Sequence, residues 1–267
     1  MLIREIVQKY EQQGFNNRNA QNLAAEEIVL KKIASSPLSE HATLKGGIVM
    51  YNLTQNNRRV TQDIDFDLIR YSLDEKSLVM FVNKMNTIDD GIIASIDGKI
   101  IQLHQENYHG VRIHLLLSDK TNTKLRIKLD IGVHTYSAIE QEKIVFSFDS
   151  SGGSISINVN PKEQIFAEKL LSLSRLGAIS TRYKDVYDLY YLIKNNFLDL
   201  DKTRNIISMF LSSSSKQPNT INDLVNAVVD ALNNQDFAEE VIKPASKWID
   251  VDYEIVKLTI IDYISTL

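Results

Sequence analysis

The chain is 267 residues long, with 43% hydrophobic residues, 24% charged residues and a formal net charge of −4; that is enough chain for one large domain or two modest ones around a substantial core. It has no cysteine, which excludes a disulfide scaffold, a thiolate zinc site and a cysteine nucleophile together. No stretch approaches the ~20 apolar residues of a membrane helix. The charged, amphipathic start MLIREIVQKYEQQG lacks the apolar run of a signal peptide, so a cytoplasmic chain with no membrane partner is expected.

Residues 1–35 read as two helices, the second beginning at Asn19 or Asn22 and carrying apolar residues at helical spacing through QNLAAEEIVLKKIASS. The segment SPLSEHATL reads as a loop or short strand leading into Lys45-Gly46-Gly47, followed by a short helix, IVMYNL, and a polar turn, TQNNRR. From Val60 the period changes to two, and residues 74–87 return to helical spacing. GIIASI, KIIQLHQEN, VRIHLLLSD and KLRIKLDIGV then read as strands, with Asp97-Gly98 and His109-Gly110 as turns of a hairpin meander. Two weaker strands flank Ser150-Ser151-Gly152-Gly153. After Pro161 the chain is almost entirely helical, with breaks at Gly177, at SSSSKQPN and near Pro244. The fold class expected is α+β: a mixed sheet flanked by helices over 1–160, then a helical half over 161–267.

The strongest local signal is Asp63-Ile64-Asp65. Residues two apart on a strand share a face, so both carboxylates enter the same space while Ile64, Phe66 and Leu68 anchor the strand from behind. Two carboxylates this close repel each other unless a cation lies between them, and hard oxygen donors suit Mg²⁺. Asp67 continues the face about 13 Å from Asp63 and reads as rim or solvent. In KLRIKLDIGV, Asp130 alternates with apolar residues and faces away from them near a strand end, which makes it the third carboxylate. The rival for each acid is a solvated strand face.

Lys45-Gly46-Gly47 precedes a short helix. Two glycines let backbone approach a ligand closely, and a helix N-terminus offers free N–H groups to phosphate oxygens. Lys45-Gly46-Gly47, then Arg59 and Thr61, then Asp63-Ile64-Asp65-Phe66 resemble the pattern K-G-G … R-x-T-x-D-I-D-F of the AbiEii/AbiGii nucleotidyltransferases, within the polymerase-β-like superfamily. A second block, FAEKLLSLSRLGAISTRYKDVYDLYYL, resembles the family's E-K-L … R-x-K/R-D-x-Y-D-L. By itself this block reads as an amphipathic helical hairpin with surface salt bridges such as Lys184 with Asp188, and with Arg182, Asp185 and Asp188 on one helical stripe.

The resemblance implies a nucleotidyltransferase-like fold whose C-terminal half contributes to the active-site cleft. It implies transfer of a nucleoside monophosphate from an NTP, with Mg²⁺ or Mn²⁺ held by Asp63, Asp65 and Asp130, the last also assisting deprotonation of the acceptor. Lys45, Gly46, Gly47 and Thr61 fall on the nucleotide side and Lys169 on the phosphates, Arg182 either joins Lys169 there or only pairs with Asp185, and Asp185 positions Lys169 or the substrate. It further implies a toxin of a toxin–antitoxin or abortive-infection system with a cognate antitoxin, and an acceptor that is a tRNA 3′ end or a protein. Two other classes stay open: a catalytically silent nucleotide-binding module, and a metal-dependent phosphodiesterase or nuclease. The five histidines lack zinc-hydrolase spacing, and no P-loop, Rossmann or nucleophile-elbow signature is present. Trp248 reads as packing.

Overall fold

Alternating apolar residues organise the first unit of the chain, Met1–Asn160, and helical periodicity the second, Pro161–Leu267. The computed structural model describes residues 2–61, 63–105, 108–136, 138–148, 150, 152–213 and 217–267, with the side chains of residues 104, 105, 108 and 109 left aside. The first unit runs α1 (Ile3–Gln12), α2 (Asn17–Ser35), β1 (Ala42–Lys45), α3 (Gly47–Thr54), β2 (Asp63–Leu68), α4 (Glu75–Met85), β3 (Ile92–Ile96), β4 (Ile101–Gln105), β5 (Tyr108–Asp119), β6 (Lys124–Val133), β7 (Glu142–Ser147) and β8 (Ser154–Val159). The strands form one sheet in the order β3-β5-β6-β2-β1-β8-β7, with β4 also paired to β5. β2 pairs β6 and β1 pairs β8 in parallel, while the remaining ladders are antiparallel. The architecture is the mixed, helix-flanked α+β sheet expected, followed by helices.

One sheet face is apolar. Ile64, Phe66 and Leu68 on β2, Ile113, Leu115 and Leu117 on β5, and Ile127, Leu129 and Ile131 on β6 are all buried. Each such side chain stabilises the fold by about 1.5–3 kcal/mol relative to exposure. Their polar neighbours on the same strands therefore face the other way, and this alternation delivers the acids to one surface.

Helix α2 is buried almost all round and packs on β6 and β8. It carries three buried charged residues, Glu26, Glu27 and Lys32. Lys32 donates to Asp90 at 2.8 Å, and Glu27 accepts from the Tyr10 hydroxyl at 2.9 Å. The helix starts earlier than its periodicity implies. Asn16 is extended and its side chain accepts from the Asn19 N–H, so the true cap lies before the apolar pattern begins.

The strands also depart from a simple meander. β5 is long enough to take β3 along Leu115–Asp119 and β4 along Tyr108–Arg112. His109-Gly110 is inside β5, opposite His104 and Leu103, and not the turn expected; residues 106 and 107, between β4 and β5 in the chain, lie outside the described residues.

The second unit contains α5 (Lys162–Leu176), α6 (Tyr183–Lys194), α7 (Leu200–Ser213), α8 (Ile221–Asn233), α9 (Gln235–Val241) and α10 (Tyr253–Ile264). α5 packs on α6, α7 and α8, and α10 on α6 and α8. Gly177 ends α5 with φ +53°, a left-handed conformation that favours glycine. Trp248 packs, its ring 5.6 Å from that of Tyr191 and its indole N–H donating to the Lys184 carbonyl. Among the described residues, no helix is long and apolar enough to cross a membrane.

Candidate active site

Strand register brings the acids together. Asp65 on β2 is the Cα partner of Asp130 on β6 and of Lys45 on β1, and Asp130 is the partner of Arg112 on β5. One row across the sheet thus reads Arg112, Asp130, Asp65, Lys45. The next row reads His114, Lys128, Asp63. Neighbouring strands are about 4.8 Å apart, so three carboxylates enter a patch a few ångströms wide.

Cations share that patch. Lys128 Nζ lies 2.5 Å from Asp63 Oδ2. Arg112 donates through Nε and Nη2 to the two Asp130 oxygens at 2.7 and 2.8 Å, a bidentate fork. The hydrogen bond to Asp130 raises the Arg112 pKa above its ordinary value; partial burial opposes this, and the charges of Asp130, Asp63 and Asp65 add to the rise. Asp67 is not the solvated rim residue expected. It is 4% exposed, and Lys45 Nζ lies 2.7 Å from its Oδ1. Asp67 sits one step deeper on β2, where burial of an acid requires a partner, and β1 brings one.

The glycines belong to the same assembly. Gly46 adopts φ +69°, ψ −140°, and a Cβ placed there would stand 2.6 Å from Asp65 Oδ2. A side chain at 46 would therefore displace the central carboxylate, besides straining the backbone. A Cβ at Gly47 would stand 3.0 Å from Thr61 Oγ1 and 3.2 Å from Arg59 Nη1, and Arg59 is itself buried. The glycines, Arg59, Thr61 and Asp65 thus form one packed unit at the start of α3, whose first N–H groups lack partners within the helix. A cavity of about 290 Å³ elsewhere in this unit is lined by Ile6, Ile28, Ile88, Ile92, Lys31 and Asp90 among others, and none of the expected site residues.

Glu26 is a residue that sequence reasoning missed. It is 3% exposed on α2, and its Oε1 has no hydrogen-bond partner among the described residues. Burial first, and the charge of Asp63 second, push its pKa well above the ordinary carboxylate range. Tyr51, on α3, is pushed up to about 12 by burial and by the Glu26 charge. Only the glutamate pair in LAAEEIVL hinted at this, and there is no spacing rule that ties it to β2.

Whether these residues suit a divalent metal can be judged from the donor set. Among the described residues, no three His, Asp or Glu side chains converge as placed on one ion position, because Asp63 and Asp130 are turned to Lys128 and Arg112. The chemistry and the backbone positions fit. The donors are hard carboxylate oxygens at adjoining ladder positions, and the glycine cradle leaves Asp65 uncrowded.

Within the second unit, Lys169 on α5 pairs with Asp185 and, at 2.8 Å, with Asp188, both on α6. Lys169 is 6% exposed and Asp188 fully buried. This corrects the surface-hairpin reading: Asp188 is a core partner of Lys169, because it falls on the α6 face turned to α5. Arg182 is the residue preceding α6 rather than part of its stripe, and its Nη1 lies 3.8 Å from Asp185. Lys169, Leu173, Ser180, Arg182, Asp185 and Val186 line a small cleft. Tyr187, Leu189 and Tyr190 are buried, and Tyr191 stacks on Phe197 and Trp248.

The structure therefore gathers Lys45, Gly46, Gly47, Thr61, Asp63, Asp65 and Asp130 within the first unit and Lys169, Arg182 and Asp185 within the second. A search of curated proteins finds no match to the chain. The family described as nucleotidyl transferase AbiEii toxin, type IV toxin–antitoxin system, matches residues 28–253. That span takes in the sheet with its acids, the glycine cradle and the Lys169 cleft, and the chain belongs to this family of nucleotidyl transferase toxins.

Proposed function

We propose that the chain transfers a nucleoside monophosphate from an NTP to an acceptor hydroxyl and releases pyrophosphate. The observation that carries this reading is the ladder pairing of Asp65 with Asp130, with Gly46 packed against the Asp65 carboxylate. Asp63, Asp65 and Asp130 would hold Mg²⁺ or Mn²⁺. When bound, the metal stabilises charge on the attacking and departing oxygens.

The chain's own groups do the rest. The Gly46-Gly47 backbone and the N-terminus of α3 bind phosphate oxygens, with Lys45 and Thr61 beside them. Asp130, at the strand position next to Asp65, takes the proton from the acceptor hydroxyl. The oxygen so freed bonds to the α-phosphorus, the bond to the bridging oxygen breaks, and pyrophosphate leaves with that electron pair. Lys169, set between Asp185 and Asp188 and with Arg182 close by, is assigned to phosphate binding in the same reaction. The acceptor is a tRNA 3′ end or a protein hydroxyl, and the family's toxin–antitoxin description supports a cognate antitoxin.

The test is incubation with each α-³²P-labelled NTP, Mg²⁺ and either total tRNA or protein, for wild type and for Asp63→Asn/Asp65→Asn. Label on RNA or protein only with intact acids is the expected result. Label that persists in the double variant would sink the assignment.

A further inference from the structure

The cations that face the acids have no role in the reaction as written, yet they occupy the carboxylates a metal needs. Lys128 and Arg112 are the direct ladder partners of Asp63 and Asp130. Both ion pairs are reached by water, with side-chain exposures of 24% and 39% for Lys128 and Asp63 and of 34% and 16% for Arg112 and Asp130. A divalent ion competes with these two cations for the same carboxylate charge, and Arg112 already engages both Asp130 oxygens. Metal loading therefore loosens an ammonium and a guanidinium on the same sheet face.

That face has a direction. In the strand order β5-β6-β2-β1, Gly46 and Gly47 follow β1, whereas Lys128 stands on β6 beyond Asp63 and Arg112 on β5 beyond Asp130, each farther from the glycines than the acid it pairs with. His114 and Arg126 continue the polar face away from them, opposite Lys128 and Leu116 respectively. The exposed side chains of Ile93 and Ile101 on β3 and β4 share it, in register with Ser118 and Arg112. A row of cations suits a polynucleotide, whose phosphates take the charges, and the exposed isoleucines leave room beside them for the bases.

We infer that Arg112 and Lys128 form a metal-gated anion site: they neutralise Asp130 and Asp63 until a divalent cation takes those carboxylates, and then bind the phosphodiester backbone of a nucleic-acid acceptor along β5 and β6. This rests on the proposed function, and it places the acceptor on the side of the acids away from the glycines. By linkage, metal must tighten nucleic-acid binding by the same factor that nucleic acid tightens metal binding.

The experiment measures Mn²⁺ binding by electron paramagnetic resonance and binding of a fluorescent single-stranded RNA by anisotropy, each with and without the other ligand. The proteins are wild type, Arg112→Gln, Lys128→Ala and Asp63→Asn/Asp130→Asn, each checked for native circular dichroism; Arg112→Gln keeps side-chain length should truncation at either position disturb the sheet. Wild type should show reciprocal enhancement of roughly tenfold. Arg112→Gln and Lys128→Ala should bind Mn²⁺ more tightly than wild type, because a competing cation is gone, and should lose most of the enhancement of RNA binding. Unchanged or weaker Mn²⁺ binding in both variants would overturn the inference. So would RNA binding in wild type that ignores the metal, or enhancement that survives both variants, which would mean the metal alone bridges to phosphate. If Mn²⁺ binds equally well to Asp63→Asn/Asp130→Asn, the metal site itself fails and the proposed function falls with it; acid-dependent Mn²⁺ binding with indifferent Arg112 and Lys128 sinks only the gate.

Discussion

Two lysine–aspartate pairs, one in each unit, are held under opposite conditions. On the sheet, Lys128 meets Asp63 with 39% of the acid's side chain exposed; between α5 and α6, Lys169 meets an Asp188 that is fully buried. A pair that water reaches contributes little to stability, so its partner can be exchanged for another cation. A buried pair cannot be parted without leaving a desolvated charge. The difference teaches that an acid available to a metal is one whose present partner can leave, and Asp188 fails that test although it lies three residues from Asp185.

The sharpest way to break this comparison is to remove one acid from each unit. Asp188→Asn should destabilise the fold by about 3–5 kcal/mol in urea denaturation, whereas Asp63→Asn should shift it by less than about 1 kcal/mol while abolishing transfer. Similar losses from the two would erase the distinction.

Next in size is the glycine cradle. Gly46→Ala pushes a methyl group onto Asp65, and a displacement of about 1 Å in such a site costs about 100-fold in rate. Gly98→Ala is the control, since Gly98 also has a positive φ, +86°, but open space around it; it should cost about 1 kcal/mol of stability and leave transfer intact.

Glu26 gives a smaller effect with a definite sign. Its carboxyl stays protonated in the folded chain at pH values where an unfolded glutamate, with pKa about 4.3, has ionised. Folding then takes up a proton, so this contribution is fully present below that value and is lost as pH rises toward the raised folded pKa. Relative to Glu26→Gln, wild type should gain stability as pH falls toward the unfolded glutamate value, with a slope of up to about 1.4 kcal/mol per pH unit. A difference that is flat in pH would contradict the buried, protonated state. The smallest effect belongs to Arg126→Ala, which breaks an exposed pair with Asp97 and should move stability by under about 0.5 kcal/mol.

Much of this was legible in the residues. The period of two in DIDFDL and KLRIKLD puts the acids on one face of their strands, and the helical spacing after Pro161 separates the second unit from the sheet. What sequence could not supply was register. Nothing in VRIHLLLSD says that Arg112 rather than His114 stands opposite Asp130, and nothing in ATLK says that Lys45 reaches Asp67, so the acids were read without their counter-ions. Helix packing was hidden for the same reason: Asp188 reads as a surface partner of Lys184 until α5 is laid against α6. Glu26 was missed because burial of one glutamate in LAAEEIVL depends on helices and strands far away in the chain.

The measurement that bears most directly on the central claim is pyrophosphate release with NTP, Mg²⁺ and acceptor, comparing wild type with Asp65→Asn at matched circular dichroism. The account predicts pyrophosphate in step with acceptor labelling for wild type and none above background for Asp65→Asn. Equal release from both proteins, or cleavage of the acceptor without pyrophosphate, would contradict it.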